Sequence, residues 1–180
     1  MKKESDYIIQ FKGLKDGMHQ FNYSVDSSFF SLIEDSLYDD GNITVKLMLN
    51  KGMNMLVLDF NINGTIKSVC DNCLEPVDVK VKTNETIYIK FGETYDDSSE
   101  EIIILPHNEH EINISKILYD FIVTSLPIRH LHETDNKGAL LCNPEMIKKL
   151  NEYKAESRVE HKNEADPRWN ELKKIFDKTN

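Results

Sequence analysis

The sequence predicts an α+β fold, an antiparallel twisted sheet or partial β-barrel with a few packing helices and a helical C-terminal tail. Apolar and polar residues alternate at Phe21, Tyr23 and Val25 and again through Thr86-Ile87-Tyr88-Ile89-Lys90-Phe91. That pattern suits half-solvated antiparallel strands rather than a doubly covered parallel sheet. Asn50-Lys51-Gly52 has the composition of a hairpin turn between two such runs. Ile114, Ile117, Leu118, Phe121, Ile122 and Leu126 recur at helical spacing until Pro127 stops them.

In order, Tyr7 to Phe11 and Met18 to Val25 read as strands of a hairpin joined through Gly13 to Gly17. Asp26-Ser27-Ser28 offers a cap for a short helix over 29–37. Residues 43–49 and 53–62 are strands, the second continuing through Thr65 to Val69. Residues 77–82 and 86–91 are two more, followed by an acidic solvated loop over 92–101 and a short buried strand at Ile102-Ile103-Ile104-Leu105. Asn113 or Ser115 caps the helix that ends at Pro127. An irregular segment runs to Cys142, and Asn143-Pro144-Glu145 then starts another helix with a cap, a first-turn proline and an early acid.

A chain of 180 residues has room for one sizeable core plus appendages. The division predicted is a single α+β domain over 1–150, then a polar linker and an amphipathic helix over 151–180. In the tail, Asp166-Pro167 repeats the cap-and-proline signal, and Trp169, Leu172, Ile175 and Phe176 make the apolar stripe. Asp166 and Arg168 read as helix-start residues rather than catalytic ones.

The charge narrows the partners. With 31 Asp and Glu against 22 Lys and Arg, the chain does not bind nucleic acid through its total charge, so any RNA contact is local and DNA is not expected. Residues 61–142 carry seven basic against fourteen acidic side chains, whereas 143–180 carry nine against eight. Met1-Lys2-Lys3-Glu4-Ser5-Asp6 holds no apolar signal core and no run approaches membrane-spanning length, which predicts a cytoplasmic protein without a membrane partner. Three cysteines, an odd number, fit a reducing compartment where thiols stay free or bind metal.

The chemistry-bearing stretch is Cys70-Asp71-Asn72-Cys73-Leu74-Glu75-Pro76-Val77. Two thiols separated by two residues can converge on one tetrahedral metal, the turn between them aiming backbone N–H groups at the sulfurs. The same spacing can form a redox disulfide, but that chemistry wants its first cysteine at a helix N-terminus, and here Pro76 leads into a strand. Cys142 is the natural partner for the pair. His107 and His110, flanking Asn108-Glu109, read as solvated loop residues. There is no Gly-rich phosphate loop and no Ser-x-x-Lys or Gly-x-Ser-x-Gly nucleophile motif.

The Cys70–Val77 stretch between strands, the acidic loop, the helix ending Leu126-Pro127, the late Cys142 and Asp166-Pro167-Arg168-Trp169-x-x-Leu172 together resemble the YceD family, named for large ribosomal RNA subunit accumulation. The resemblance spans most of the chain. It implies a non-enzymatic factor supporting accumulation or processing of large-subunit ribosomal RNA and ribosome assembly, acting as an adaptor whose partners are that RNA or its assembly proteins. The rival reading is a Cys-based redox or metal-dependent enzyme. In the commoner family pattern a second cysteine pair follows the Leu-Pro segment, whereas here Cys142 stands alone. His132, with His130 second, can replace the missing thiolate, since zinc takes three-Cys one-His sites. The metal site expected is therefore Cys70, Cys73, Cys142 and His132 around zinc, with no catalytic residue.

Overall fold

A computed structural model describes residues 3–99, 101–134 and 141–153. Seven strands and three helices follow in order: β1 (Ile8–Ile9), β2 (Gly17–Val25), α1 (Ser27–Phe30), β3 (Gly41–Lys51), β4 (Met55–Val69), β5 (Pro76–Gly92), β6 (Ile102–Pro106), β7 (Ile112–Asn113), α2 (Ser115–Thr124) and α3 (Pro144–Glu152). The main sheet has the order β2-β3-β4-β5-β6, and β1 pairs with β7 in a second, two-stranded sheet. This is the α+β class that the alternation predicts. Among the described residues the sheet stays open, and no helix is long and apolar enough to cross a membrane. The expected linker beyond 153 and the helix of Trp169 to Phe176 lie outside the described residues.

The alternation becomes one apolar sheet face. Across β3, β4 and β5 the register stacks Leu49, Leu58 and Ile87 in one row. Ile43, Val45, Leu47, Leu56, Phe60 and Ile62 complete the buried face, and Leu118 and Ile122 of α2 close over it. Phe121 meets Phe60 edge-on at 5.4 Å between ring centroids, the arrangement that puts a positive ring edge on a negative face.

Four expectations change. Residues 7–11 do not form a hairpin with β2. A 3-10 turn at Phe11–Gly13 leaves two extended residues, Tyr7, Ile9 and Phe11 sink into the core, and the backbone of β1 pairs with β7 instead. The helix expected over 29–37 is the single turn α1. Asp26 caps it, its Oδ1 accepting from the Ser28 N–H at 3.0 Å, and Phe29 and Phe30 are buried, but Asp35 turns left-handed at φ 56° and Leu37 faces solvent. One helical turn already buries both rings, so nothing drives its extension.

The strands expected at 77–82 and 86–91 are one continuous strand, β5. Thr83, Asn84 and Glu85 keep pairing with β4, and Asn61 Nδ2 donates to Asn84 Oδ1 at 2.5 Å across the strands. The sheet is also not wholly antiparallel, because β6 runs parallel to β5. Asp96 lies antiparallel beside β6, where it and Ile104 exchange hydrogen bonds of 3.0 and 2.7 Å. The N-cap residue of α2 is Ile114, and Asn113, one residue before it, supplies the side-chain bond at the helix start, its Oδ1 accepting from the Ser115 N–H at 2.9 Å. α3 begins as expected, with Pro144 at its start and Asn143 Oδ1 accepting from the Glu145 N–H at 3.0 Å.

Gly64 lies where β3 and β4 approach most closely: a Cβ there would sit 2.2 Å from the Asn42 carbonyl oxygen and 2.6 Å from Ile43 Cα. Both obstacles are backbone, so Gly64→Ala must force the hairpin apart. Urea denaturation should show it less stable by about 1–3 kcal/mol. Gly13→Ala, which meets nothing within 4 Å, is the control and should leave the midpoint in place.

Candidate metal centre

β4 and β5 are 15 and 17 residues long, and their paired ends at Val69 and Pro76 carry the hairpin beyond the main core. The Cys70–Glu75 turn closes that end. Cys70 N–H donates to the Glu75 carbonyl and Leu74 N–H to the Cys70 carbonyl, both at 2.9 Å. Closing it requires a left-handed residue, and Leu74 supplies it at φ 61° with its side chain exposed. Glycine would take that conformation without steric cost.

Two further pieces of chain dock on the turn. Asp71 N–H donates to the His130 carbonyl at 2.8 Å, and His130 N–H returns a bond to Asp71 Oδ2 at 2.7 Å. An Arg129 guanidinium nitrogen donates to Asn72 Oδ1 at 3.0 Å. His130 Nδ1 is 2.7 Å from Ser68 Oγ, so its ring serves to seat the loop. On the other side Asn143 works twice, its Oδ1 capping α3 and its Nδ2 donating to Glu75 Oε1 at 2.8 Å.

These contacts bring Cys70, Cys73, His132 and Cys142 together, one potential ligand atom of each lying within 4.8 Å of the others. Cys70 and Cys142 sulfurs are 3.7 Å apart, His132 Nδ1 is 3.4 Å from the Cys73 sulfur, and 3.6 Å separates it from that of Cys142. Tetrahedral zinc, with bonds of about 2.3 Å to sulfur and 2.0–2.1 Å to nitrogen, sets neighbouring ligands roughly 3.6–3.8 Å apart. The spacing and the donor set both fit a metal ion of that kind. His132 Nε2 lies 3.1 Å from the Pro76 carbonyl, which only accepts, so the proton sits on Nε2 and the Nδ1 lone pair faces the sulfurs. Of the two candidate histidines, His132 is the one that joins the cysteines.

The thiols are unlike one another. Burial pushes the Cys70 thiol up, but the N–H groups of Cys73, Asn72 and His132, with the Cys73 thiol, outweigh it and hold Cys70 below the usual thiol range. Burial pushes Cys142 up, and its hydrogen bonds and charge interactions with Cys70 and Cys73 push it further. Of these two, Cys70 therefore gives up its proton the more readily. A cation at the centre would relieve that crowding by accepting electron pairs from all three sulfurs.

The residues around the cluster explain why a metal would matter there. It has its own small apolar cluster, in which Val77 and Val79 are the buried residues besides the cysteines, with Leu126, Leu131, Met146 and Ile147 packed at its margin. Of the residues that fasten the loop, Asp71, Asn72 and Glu75 fall within the Cys70–Val77 stretch, whereas Ser68 and Arg129 carry no distinctive sequence signal. His107 and His110 are exposed as expected, His110 Nδ1 lying 2.9 Å from Lys12 Nζ. Asp166, Arg168 and Trp169 lie outside the described residues.

The family profile described as large ribosomal RNA subunit accumulation protein YceD matches residues 58–176, which takes in β4, β5, α2, α3 and all four clustered residues. The chain belongs to the YceD family. No curated protein and no solved structure matches it. The match begins within β4, so the N-terminal strands and α1 that cover the YceD-matching hairpin lie outside it.

Two measurements check the centre. Elemental analysis of protein purified without chelator or affinity tag should find one zinc per chain, and Cys73→Ser should lose it, lower the melting temperature and speed amide exchange over 129–134; zinc-free wild-type protein of unchanged stability would contradict this. Leu74→Val, a β-branched side chain at positive φ, should destabilise the zinc-loaded protein by about 1 kcal/mol or more, while Leu74→Gly should not.

Proposed function

We propose that this protein is a non-enzymatic factor that supports the accumulation or processing of large-subunit ribosomal RNA, with a structural zinc held by Cys70, Cys73, Cys142 and His132. Family membership over residues 58–176 carries the ribosomal reading. The four-donor cluster supports the structural role, because four protein ligands leave a tetrahedral ion no open position for a water or substrate. Zinc bound there would fasten the loop through His132 and the start of α3 onto the tip of the β4–β5 hairpin, presenting a rigid end to a partner. The partner is large-subunit ribosomal RNA or a protein that assembles with it.

With a net charge of −9, contact with RNA has to be local. The solvent side of the main sheet offers such a place: Lys46, Asn61 and Asn84 stand in one cross-strand row and Thr44, Asn63 and Lys82 in the next. Lysine and amide side chains of this kind bind phosphate and sugar oxygens and position a nucleic acid without reading its bases.

The lowered Cys70 thiol also suits a redox pair. Against that reading, Cys70 is 0% exposed, a third thiol and an imidazole crowd it, and the turn runs into β5 instead of a helix. Depleting the protein should lower large-subunit relative to small-subunit ribosomal RNA, with the wild-type gene restoring the ratio. An unchanged ratio, together with a Cys70–Cys73 disulfide that cycles in cells, would replace this function with the redox one.

A further inference from the structure

On the inner side of the sheet Ile87 and Ile103 are buried, while Ile117 and Phe121 of α2 are only half-buried. Between α2 and the β5–β6 edge lies an open groove of about 1210 Å³, lined also by Tyr95, Asp97, Ser99 and Glu101. Its floor is apolar, with Ile87 and Ile103 of the sheet facing Ile117 and Phe121 of α2. Its rim is acidic: Glu85, Asp97, Glu101, Glu109, Glu111 and Asp120 line it against the single cation Lys116. Glu4, also at the rim, is taken up by the Asn113 amide, which donates to it at 2.8 Å. Among the described residues the ion pairs are Lys51–Asp16, Lys67–Asp40 and Lys80–Glu133, and none neutralises this rim.

We propose that this groove docks a lysine- and arginine-rich amphipathic segment of a partner protein, its apolar stripe on the floor and its cations among the rim carboxylates. Charge complementarity selects the occupant, because the phosphates of RNA would be repelled by the same rim. The size agrees, since a cylinder roughly 10 Å wide and 15 Å long, about ten helical residues, fills roughly this volume. Laying an amphipathic helix into such a groove is a general mode of peptide recognition. The proposal rests on the ribosomal reading in supposing a basic partner, and it deepens that reading by assigning this face to a protein and leaving RNA to other surfaces.

The test uses the full chain and a fluorescent peptide of about a dozen residues, with leucines at i, i+3, i+4 and i+7 and Lys or Arg elsewhere, the spacing of one helix face. Anisotropy should show saturable one-to-one binding that weakens with salt. Asp97→Lys/Glu101→Lys/Asp120→Lys should weaken it about tenfold or more, and Lys116→Glu, a single change that spares the floor, should tighten it about twofold. Equal binding of a scrambled peptide, or indifference to both charge changes, would overturn the proposal. So would an RNA oligonucleotide whose binding responds to them as the peptide's should. Intramolecular crosslinks from the groove to residues 154–180, with no peptide binding, would give the groove to the chain's own tail and overturn it as well. Cells separate the two readings: a fall in large-subunit RNA on depletion that the triple variant fully restores overturns the docking groove alone, whereas no fall on depletion overturns the ribosomal reading alone.

Discussion

The constraint on which the tip of this molecule depends is the meeting of three thiols and one imidazole contributed by three separate pieces of chain. Cys70 and Cys73 come from the β4–β5 turn, His132 from the segment after α2, and Cys142 from the residue before the cap of α3. The apolar side chains near them are too few to do this work alone. Each residue ordered on folding costs about 1–2 kcal/mol of backbone entropy, and Val77 and Val79 bury little area against that. Polar contacts place the loop, and a metal would lock it.

The length of the hairpin creates the problem. β4 and β5 share the main core from Leu56 to Ile66 and from Val81 to Ile89, then run past it, and a sheet end without a second layer exposes one apolar face. The loop through His130 and the start of α3 supply that layer at the tip. At the other end α2 packs against the sheet, the inner residues of β5 and β6 (Ile87, Ile89, Ile103 and Leu105) are buried, and the acidic groove runs beside the helix.

Charge divides along the same geometry. The groove side gathers the carboxylates of Glu85, Asp97, Glu101 and Asp120, while lysines and asparagines stand with Asp59 and Asp78 on the solvent side of the sheet. Because alternate residues of one strand face opposite ways, Lys82 and Glu85 of β5 serve different faces three positions apart.

Much was legible in the residues alone, for local reasons. Alternation placed β3, β4 and most of β5, because a strand with one wet face must alternate; the Pro127 stop and the Asn143-Pro144 start are chosen by backbone chemistry within a few residues, whereas Asn50 and Lys51, expected in the turn, still pair in β3 and the connection is Gly52-Met53-Asn54. The Cys-x-x-C spacing announced a site for the same reason. What needed the tertiary structure was every choice between distant partners. β1 pairs with β7 across about a hundred residues, and β6 enters parallel, with Asp96 antiparallel beside it. His132 rather than His130 joins the cysteines because Asp71 and Ser68 have already claimed His130. Sequence periodicity records which face of an element is apolar; it carries no record of which remote backbone or side chain meets that face, since that is settled by how all the elements share one limited volume.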